Sequence, residues 1–485
     1  MEKHMVPLII RGRVITDNLR TFEGRRGSVS FESPDVNAYF DDIVMRNPSE
    51  MKDLYDISLE EIYDYLVELG ARLSVETNPH MRKAFEISIA VSGMGRDILY
   101  SMYENMRLAL NRDYLREAVE TNIGSGYLEG WVKTQLNDRT TEIRAMGARS
   151  VHINAGNGVA VAMMSIMTNS LLRSDAIIKS PSNDPFTAVG LALTMIDMAP
   201  DHPLTKHFSV CYWKGGDTEF EKRLYRPTNI EKIVAWGGFA SMQHIRAHLG
   251  PGMDLIALDP KLSGSLIGKE ALESEETMAF VAGQLAKDVG YFNQEGCVSS
   301  RTAYVESGTD TSGITRINRF GQMVFDKIQQ LPKELSGLHP SFDPVLRDEI
   351  SGIRHNNFYN IIGGHGNEGA VIVSQENEPV DFADQLGCRV VNLVPVDSIE
   401  EALKRITVHT QTLGVYPEAL KLKVRDDCGR RGAQRLTSLG CATSVGISQP
   451  QDAIEQMRRM LRWIVVENFS EDTIKGHGTG FVLGT

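Results

Sequence analysis

Cys297 stands in GYFNQEGCVSS, between Gly296 and the small polar pair Ser299-Ser300. A thiolate is a strong nucleophile, but it needs partial exposure and room for a carbonyl to approach. Small polar neighbours leave that room. Of the other four cysteines, Cys211 (SVCYWK) and Cys388 (LGCRV) sit in strand-like runs and read as small hydrophobes. From its neighbours alone, Cys297 stays open between nucleophile and inert filler. His244 and His248 fall at i, i+4 on a predicted helix, a spacing that can hold zinc. No glutamate completes an HExxH and no third ligand is evident, so a polar helix face is the plainer reading. His248 precedes Cys297 by one strand and one helix and is kept as a candidate acid–base group. The formal GxGxxG, Gly364 to Gly369, runs into the strand-like AVIVSQ instead of a helix, which points to a hairpin turn. GSLIGK is one residue short of a phosphate-binding loop.

The elements around these residues alternate. SVHINAG reads as a strand, NGVAVAMMSIMTNSLLRS as a helix and DAIIKS as a strand. Asp184-Pro185 then has the form of a helix start, an N-cap with proline at the first helical position. FSVCYWKGG, a charged helix, KIVAWGG and FASMQHIRAHL continue the series. This α/β alternation predicts a doubly wound parallel sheet, whose ligands gather at the carboxyl ends of strands. Those ends are Asn154-Ala155-Gly156-Asn157, Lys179-Ser180-Pro181-Ser182 and Trp236-Gly237-Gly238. A second α/β segment spans about 270–450. Neither an internal repeat nor a low-complexity run occurs.

The chain has 485 residues, enough for two to four domains of roughly 100–200 residues. Its net charge of −12 argues against a nucleic-acid surface or a polybasic membrane patch. Five scattered cysteines without a CxxC pair suit a reducing, cytoplasmic setting. MEKHMVPLIIRGRV reads as too short in its apolar run for a signal peptide, and no uninterrupted apolar run suits a membrane span.

Taken in order, NxGNxxxAMxxIM, SLLRSDAIIKSPSNDPFTA, KIVAWGG and QEGCVSSRTAYVE resemble the aldehyde dehydrogenase superfamily. The sequence is more closely similar to the acyl-CoA or long-chain fatty acid reductases that supply aldehyde in bacterial bioluminescence. HPLTKHFSVCYWKGGDT and HTQTLGVYP add to that likeness, which covers about 80–450. It implies an aldehyde-dehydrogenase-like α/β fold: an N-terminal extension (1–80), a Rossmann-like cofactor domain (81–268), a catalytic domain (269–455) and an oligomerisation segment (456–485). It implies that Cys297 attacks a thioester carbonyl and holds the acyl group. Asn157 and the Cys297 backbone N–H would bind the oxyanion. Lys179 would touch the adenosine ribose. Ser182 stands where NAD-dependent members carry a glutamate, which implies NADPH in place of NAD. The Gly237-Gly238 turn would admit the pyrophosphate at a helix N-terminus. Asp384, in DFADQLGCRV, would hold the nicotinamide ribose.

One departure bears on the reaction. Hydrolytic aldehyde dehydrogenases activate water with a glutamate before the cysteine segment. The matching stretch, DLIALDPKLSGSL, puts Ala257 or Leu258 there, with Asp259 adjacent. A thioester spared from water favours reduction of an activated, long-chain acyl group. The donor implied is acyl-CoA or an acyl-enzyme, with an acyl-protein synthetase as possible partner and a homo-oligomer as the assembly. Two alternatives remain: a CoA-acylating aldehyde dehydrogenase for small aldehydes, and a non-catalytic acyl-binding subunit.

Overall fold

DAIIK is short, apolar on both faces and rich in β-branched residues, as suits a central parallel strand. In the computed structural model it is the strand Asp175–Lys179, buried at all five positions. The structure describes residues 4–24, 29–136 and 139–476. Around that strand lies a seven-stranded sheet in the order Asp254–Leu258, Lys232–Trp236, Arg149–Ile153, Asp175–Lys179, Phe208–Cys211, Leu8–Ile10, Arg13–Ile15. The first five strands run parallel and the last two antiparallel. Helices such as Ala160–Leu171 and Thr187–Met198 make the crossovers. The latter begins two residues beyond Pro185, and Asp184 Oδ1 still accepts from the Thr187 N–H at 3.3 Å.

Leu8–Ile10 and Arg13–Ile15 therefore belong to this sheet, although the first 80 residues read as an extension; His4–Met5, Ser30–Pro34 and Leu19–Glu23 form a separate three-stranded sheet. Arg11, in the turn between Leu8–Ile10 and Arg13–Ile15, supplies the reason. Its guanidinium grips Asp175 with two hydrogen bonds, Nη2 to Oδ2 at 2.9 Å. A buried carboxylate needs such a partner, and the pairing of distant segments is invisible to local periodicity.

The second sheet also has seven strands: Tyr359–Gly363, Ala370–Ser374, Val390–Pro395, Ser300–Val305, Leu262–Ile267, Thr410–Tyr416 and Arg435–Ser438. All neighbours are parallel except the first pair. Leu262–Ile267 thus lies across the sequence boundary drawn at 268. The first pair is the hairpin expected at the GxGxxG: Gly364 N–H donates to Gly369 O at 2.9 Å, and Gly363, Gly364 and Gly369 have φ of 77°, 73° and 86°. Helices Glu275–Gly290 and Thr311–Gln329 cover this sheet. Cys388 is not in a strand. It occupies a left-handed turn position, φ 55°, before Val390–Pro395. A three-stranded antiparallel sheet joins Val132–Gln135, Arg139–Met146 and Arg462–Phe469. No described helix is long and apolar enough to cross a membrane.

Candidate active site

Cys297 follows the helix Glu275–Gly290 and precedes the strand Ser300–Val305. The link between them is unusual, because Phe292, Asn293 and Gln294 all have positive φ (53°, 53° and 66°). Side chains with a Cβ disfavour that region, so surrounding contacts must impose it. Gln294 supplies them. Its Nε2 donates to Ser300 O and Val390 O, and its Oε1 accepts from Val390 N–H, each at 2.8 Å. The Cys297 carbonyl accepts from Ser263 Oγ at 2.7 Å. The turn is thereby clamped at the amino ends of the second sheet's strands.

Those amino ends meet the carboxyl ends of the first sheet. Asn157 Nδ2 donates to Glu295 O at 3.0 Å, two residues before the cysteine. An amide nitrogen has two hydrogens, so one remains for a ligand oxygen. Asn183 Nδ2 fixes the approach of this loop by donating to Gly156 O at 2.9 Å, and a Cβ on Gly156 would lie 1.7 Å from Asn183 Oδ1.

The thiol itself is half-buried. Burial pushes it above its ordinary pKa, and the Asp452 charge adds to that; a hydrogen bond from Gln411 and the Arg301 charge act downward. Arg301 Nε donates to Leu386 O at 2.6 Å, which holds the turn Ala383–Gln385 close, and the Asp384 carboxylate faces the Arg301 guanidinium. Asp384 is thus brought to the cysteine side of the cleft. Gln411, Asp452 and Arg301 carried no functional signal when read singly, because their relation to Cys297 is made by strands and turns distant in the chain. Gln411 does lie within HTQTLGVYP.

Lys179 ends its strand beside an aromatic floor, its Nζ 5.7 Å from the Tyr212 ring centre and 5.5 Å from that of Trp213. Burial pushes its ammonium below the ordinary value, against the attraction of Glu221. Glu221, also missed in sequence, is buried and accepts from Trp213 Nε1 at 2.9 Å. Burial pushes the Tyr212 hydroxyl above its ordinary value, with Ser182 acting downward. Beside these groups lies a cavity of about 390 Å³, bounded by Tyr212, Trp213, Lys214 and, from the strand Leu19–Glu23, Arg20 and Phe22. Gly237 and Gly238 precede the helix Phe239–His248. No side chain caps that helix, and a Cβ on Gly238 would meet nothing within 4 Å. A bare backbone at a helix N-terminus suits a pyrophosphate. Lys179, Ser182 and the bare helix N-terminus are groups that would suit a nicotinamide dinucleotide.

Two expectations meet different surroundings. His248 lies at the end of its helix, its Nδ1 against His244 O at 2.8 Å and its ring beside His244, and no described contact joins it to the Cys297 turn. His244 Nε2 pairs with Glu221 Oε2 at 2.6 Å. At the position of the water-activating glutamate, Ala257 and Leu258 close the strand Asp254–Leu258, while Asp259 pairs with Arg246 at 3.4 Å. The carboxylate facing the thiol is Asp452.

Comparison with known proteins extends this picture. A family model described as acyl-CoA reductase (LuxC) matches residues 54–463. The chain is 25% identical over 480 residues to a long-chain acyl-protein thioester reductase of Vibrio harveyi, covering 96% of this chain and 93% of that protein. It is 27% identical over 446 residues to one of Photorhabdus laumondii, covering 88% of each. Among solved structures, aldehyde dehydrogenase 21 from Physcomitrella patens superposes with a TM-score of 0.74 at 13% identity, covering 98% of this chain and all (100%) of that one. An NADP-dependent glyceraldehyde-3-phosphate dehydrogenase from Bacillus halodurans, complexed with NADP, gives 0.72 at 11%, covering 97% and 100%. The two-sheet architecture is the aldehyde dehydrogenase fold.

Proposed function

The chain belongs to the acyl-CoA reductase (LuxC) family, and from that footing we propose that it reduces a long-chain acyl thioester to the aldehyde through an acyl–Cys297 intermediate, with NADPH as reductant. The observation that carries this reading is the meeting of Asn157 with the Cys297 turn across the two sheets, at 3.0 Å. Cys297 Sγ attacks the thioester carbon and the donor's sulfur leaves. As the carbonyl oxygen gains charge, the free Nδ2–H of Asn157 and the Cys297 N–H stabilise it. A reduced nicotinamide cofactor, when bound, supplies a hydride to the acyl carbon. Cys297 Sγ then leaves as the aldehyde departs. Lys179, Ser182, Gly237, Gly238 and Asp384 would hold the cofactor. The hydroxyl of Ser182 can hydrogen-bond a 2′-phosphate that a carboxylate would repel, which favours NADPH. Ala257 and Leu258 carry no base, Asp259 is engaged with Arg246 and Asp452 with Gln411, which favours an acyl-Cys297 spared from water.

The acyl donor is a coenzyme A thioester or the acyl group carried by a partner protein, and the enzyme works as a cytoplasmic homo-oligomer. NADPH consumption is measured against a ladder of acyl-CoA lengths, with acyl labelling of the protein in parallel. Turnover rises from acetyl to tetradecanoyl. Cys297→Ala loses both labelling and turnover, by about three orders of magnitude or more in rate. A Cys297→Ala protein that still reduced acyl-CoA would sink the reading.

A further inference from the structure

We propose that Gln411 and Asp452 form a positioning pair for the Cys297 thiol: the Gln411 amide presents an N–H to the sulfur, and the Asp452 carboxylate fixes which way that amide faces. The proposal rests on reading Cys297 as the acyl carrier.

Three segments converge on one serine. Ser263 Oγ donates to Cys297 O at 2.7 Å and accepts from the Thr412 N–H at 3.2 Å. The backbones that carry the thiol and Gln411 are therefore tied to a common point. The Gln411 side chain is buried, donates Nε2 to Asp452 Oδ1 at 2.5 Å, and lies close enough to the thiol to favour its ionised form. Its Oε1 is buried with no hydrogen-bond partner among the described residues. An amide nitrogen offers two hydrogens and an ionised carboxylate only accepts. One hydrogen goes to Asp452, so the other is left for sulfur. Without the carboxylate, the amide could turn its oxygen towards the thiolate, where it would repel.

Asp452 is held in place by its own turn. Asp452 and Ala453 both have positive φ, 52° and 61°, and Gln451 and Ile454 close the turn with reciprocal backbone bonds of 3.0 and 2.9 Å. Consecutive left-handed residues with side chains persist only where surroundings impose them, and they cluster at functional sites. The chemistry uses the pair twice. Sulfur is negative after its proton leaves and before it bonds the acyl carbon, and again when its bond to that carbon breaks and aldehyde is released. An N–H directed at sulfur stabilises it at both moments. The charges facing the thiol are Asp452 and Arg301; those facing Asp452 are Lys261 and Asp259.

The test uses the full-length protein without cofactor. The pH dependence of iodoacetamide alkylation is followed at Cys297 by peptide mass mapping. Gln411→Met keeps the volume but loses the donor, and should raise the alkylation midpoint by about one pH unit. Asp452→Asn removes a negative charge, which lowers the midpoint, and frees the amide to turn its oxygen to sulfur, which raises it, so its readout is the rate: single-turnover acylation by tetradecanoyl-CoA, at a pH where both thiols are ionised, should slow about tenfold. A merely structural strut would neither move the thiol's midpoint in Gln411→Met nor slow acylation by the ionised thiol in Asp452→Asn. Thermal unfolding of each variant reports folding separately. An unmoved midpoint in folded Gln411→Met overturns the role of the amide, and undiminished acylation in Asp452→Asn overturns that of the carboxylate. Alkylation concerns the free thiol, so these outcomes are distinct from the failure of acyl-Cys297 chemistry, which Cys297→Ala reports.

Discussion

Lys179 Nζ lies 5.7 Å from the Tyr212 ring centre, and in the function proposed above it and Ser182 set the charge at the ribose end of the cleft. A carboxylate at position 182 would add attraction for Lys179 and repulsion for a 2′-phosphate. Ser182→Glu should therefore weaken NADPH binding by about tenfold or more, while NADH binding holds or improves. Fluorescence titration with both cofactors measures it; equal losses for the two would mean that position 182 does not face the ribose. Asn157, Lys179 and Ser182 could be singled out in the sequence because each ends or follows a recognisable strand, and Cys297 because small polar residues and a following strand flank it. Gln411, Asp452 and Arg301 could not, since each acquires its meaning from a neighbour elsewhere in the chain. His248 illustrates the converse. Its closeness along the chain suggested proximity to Cys297, but its hydrogen bond turns back onto its own helix.

At the scale of elements, the strand–helix alternation was legible because short apolar runs and amphipathic or buried helices differ in period and length. Sheet membership was not, as Leu8–Ile10 and Leu262–Ile267 show, because pairing depends on distant partners. The helix Thr187–Met198 offers a test of how an element's start is built. Asp184 accepts from the helix's first N–H, that of Thr187, from a buried position, and burial lifts its carboxyl from the ordinary 3.8 to about 6 despite hydrogen bonds from Thr187 and Ser88. The folded state therefore holds a proton that the unfolded state releases. As pH rises from 4 to 6 this group's contribution to stability falls, by up to about 3 kcal/mol, and above that the loss is complete. Asn caps as well as Asp and carries no charge. Asp184→Asn should raise the thermal midpoint at pH 7.5 relative to the parent, and the gain should vanish towards pH 4. A gain that does not change with pH would mean that the carboxylate's burial is not its source.

At the scale of the molecule, the two large sheets point opposite strand ends at one cleft, and the three-stranded sheet that holds Arg462–Phe469 is separate from both. Arg462–Phe469 pairs along its whole length with Arg139–Met146, but its other edge has no partner among the described residues. Ile464, Val465, Val466 and Phe469 are 39%, 53%, 41% and 38% exposed, on both faces of that strand. An apolar edge left open is a site for pairing with another strand, and a homo-oligomer would cover it with a second copy. Val465→Lys puts a charge on that edge and should shift sedimentation velocity towards the monomer. The variant should leave the Cys297 alkylation midpoint where it is, even though Asp452 lies shortly before this strand. The reason is the anchor between them: Arg459, in the helix Gln456–Met460, donates to Asp254 Oδ1 at 2.6 Å and to Leu255 O at 3.1 Å, which ties the segment to the first sheet independently of any partner. An unchanged sedimentation coefficient would remove the strand from the interface. A shifted alkylation midpoint would mean that assembly reaches the thiol through that helix.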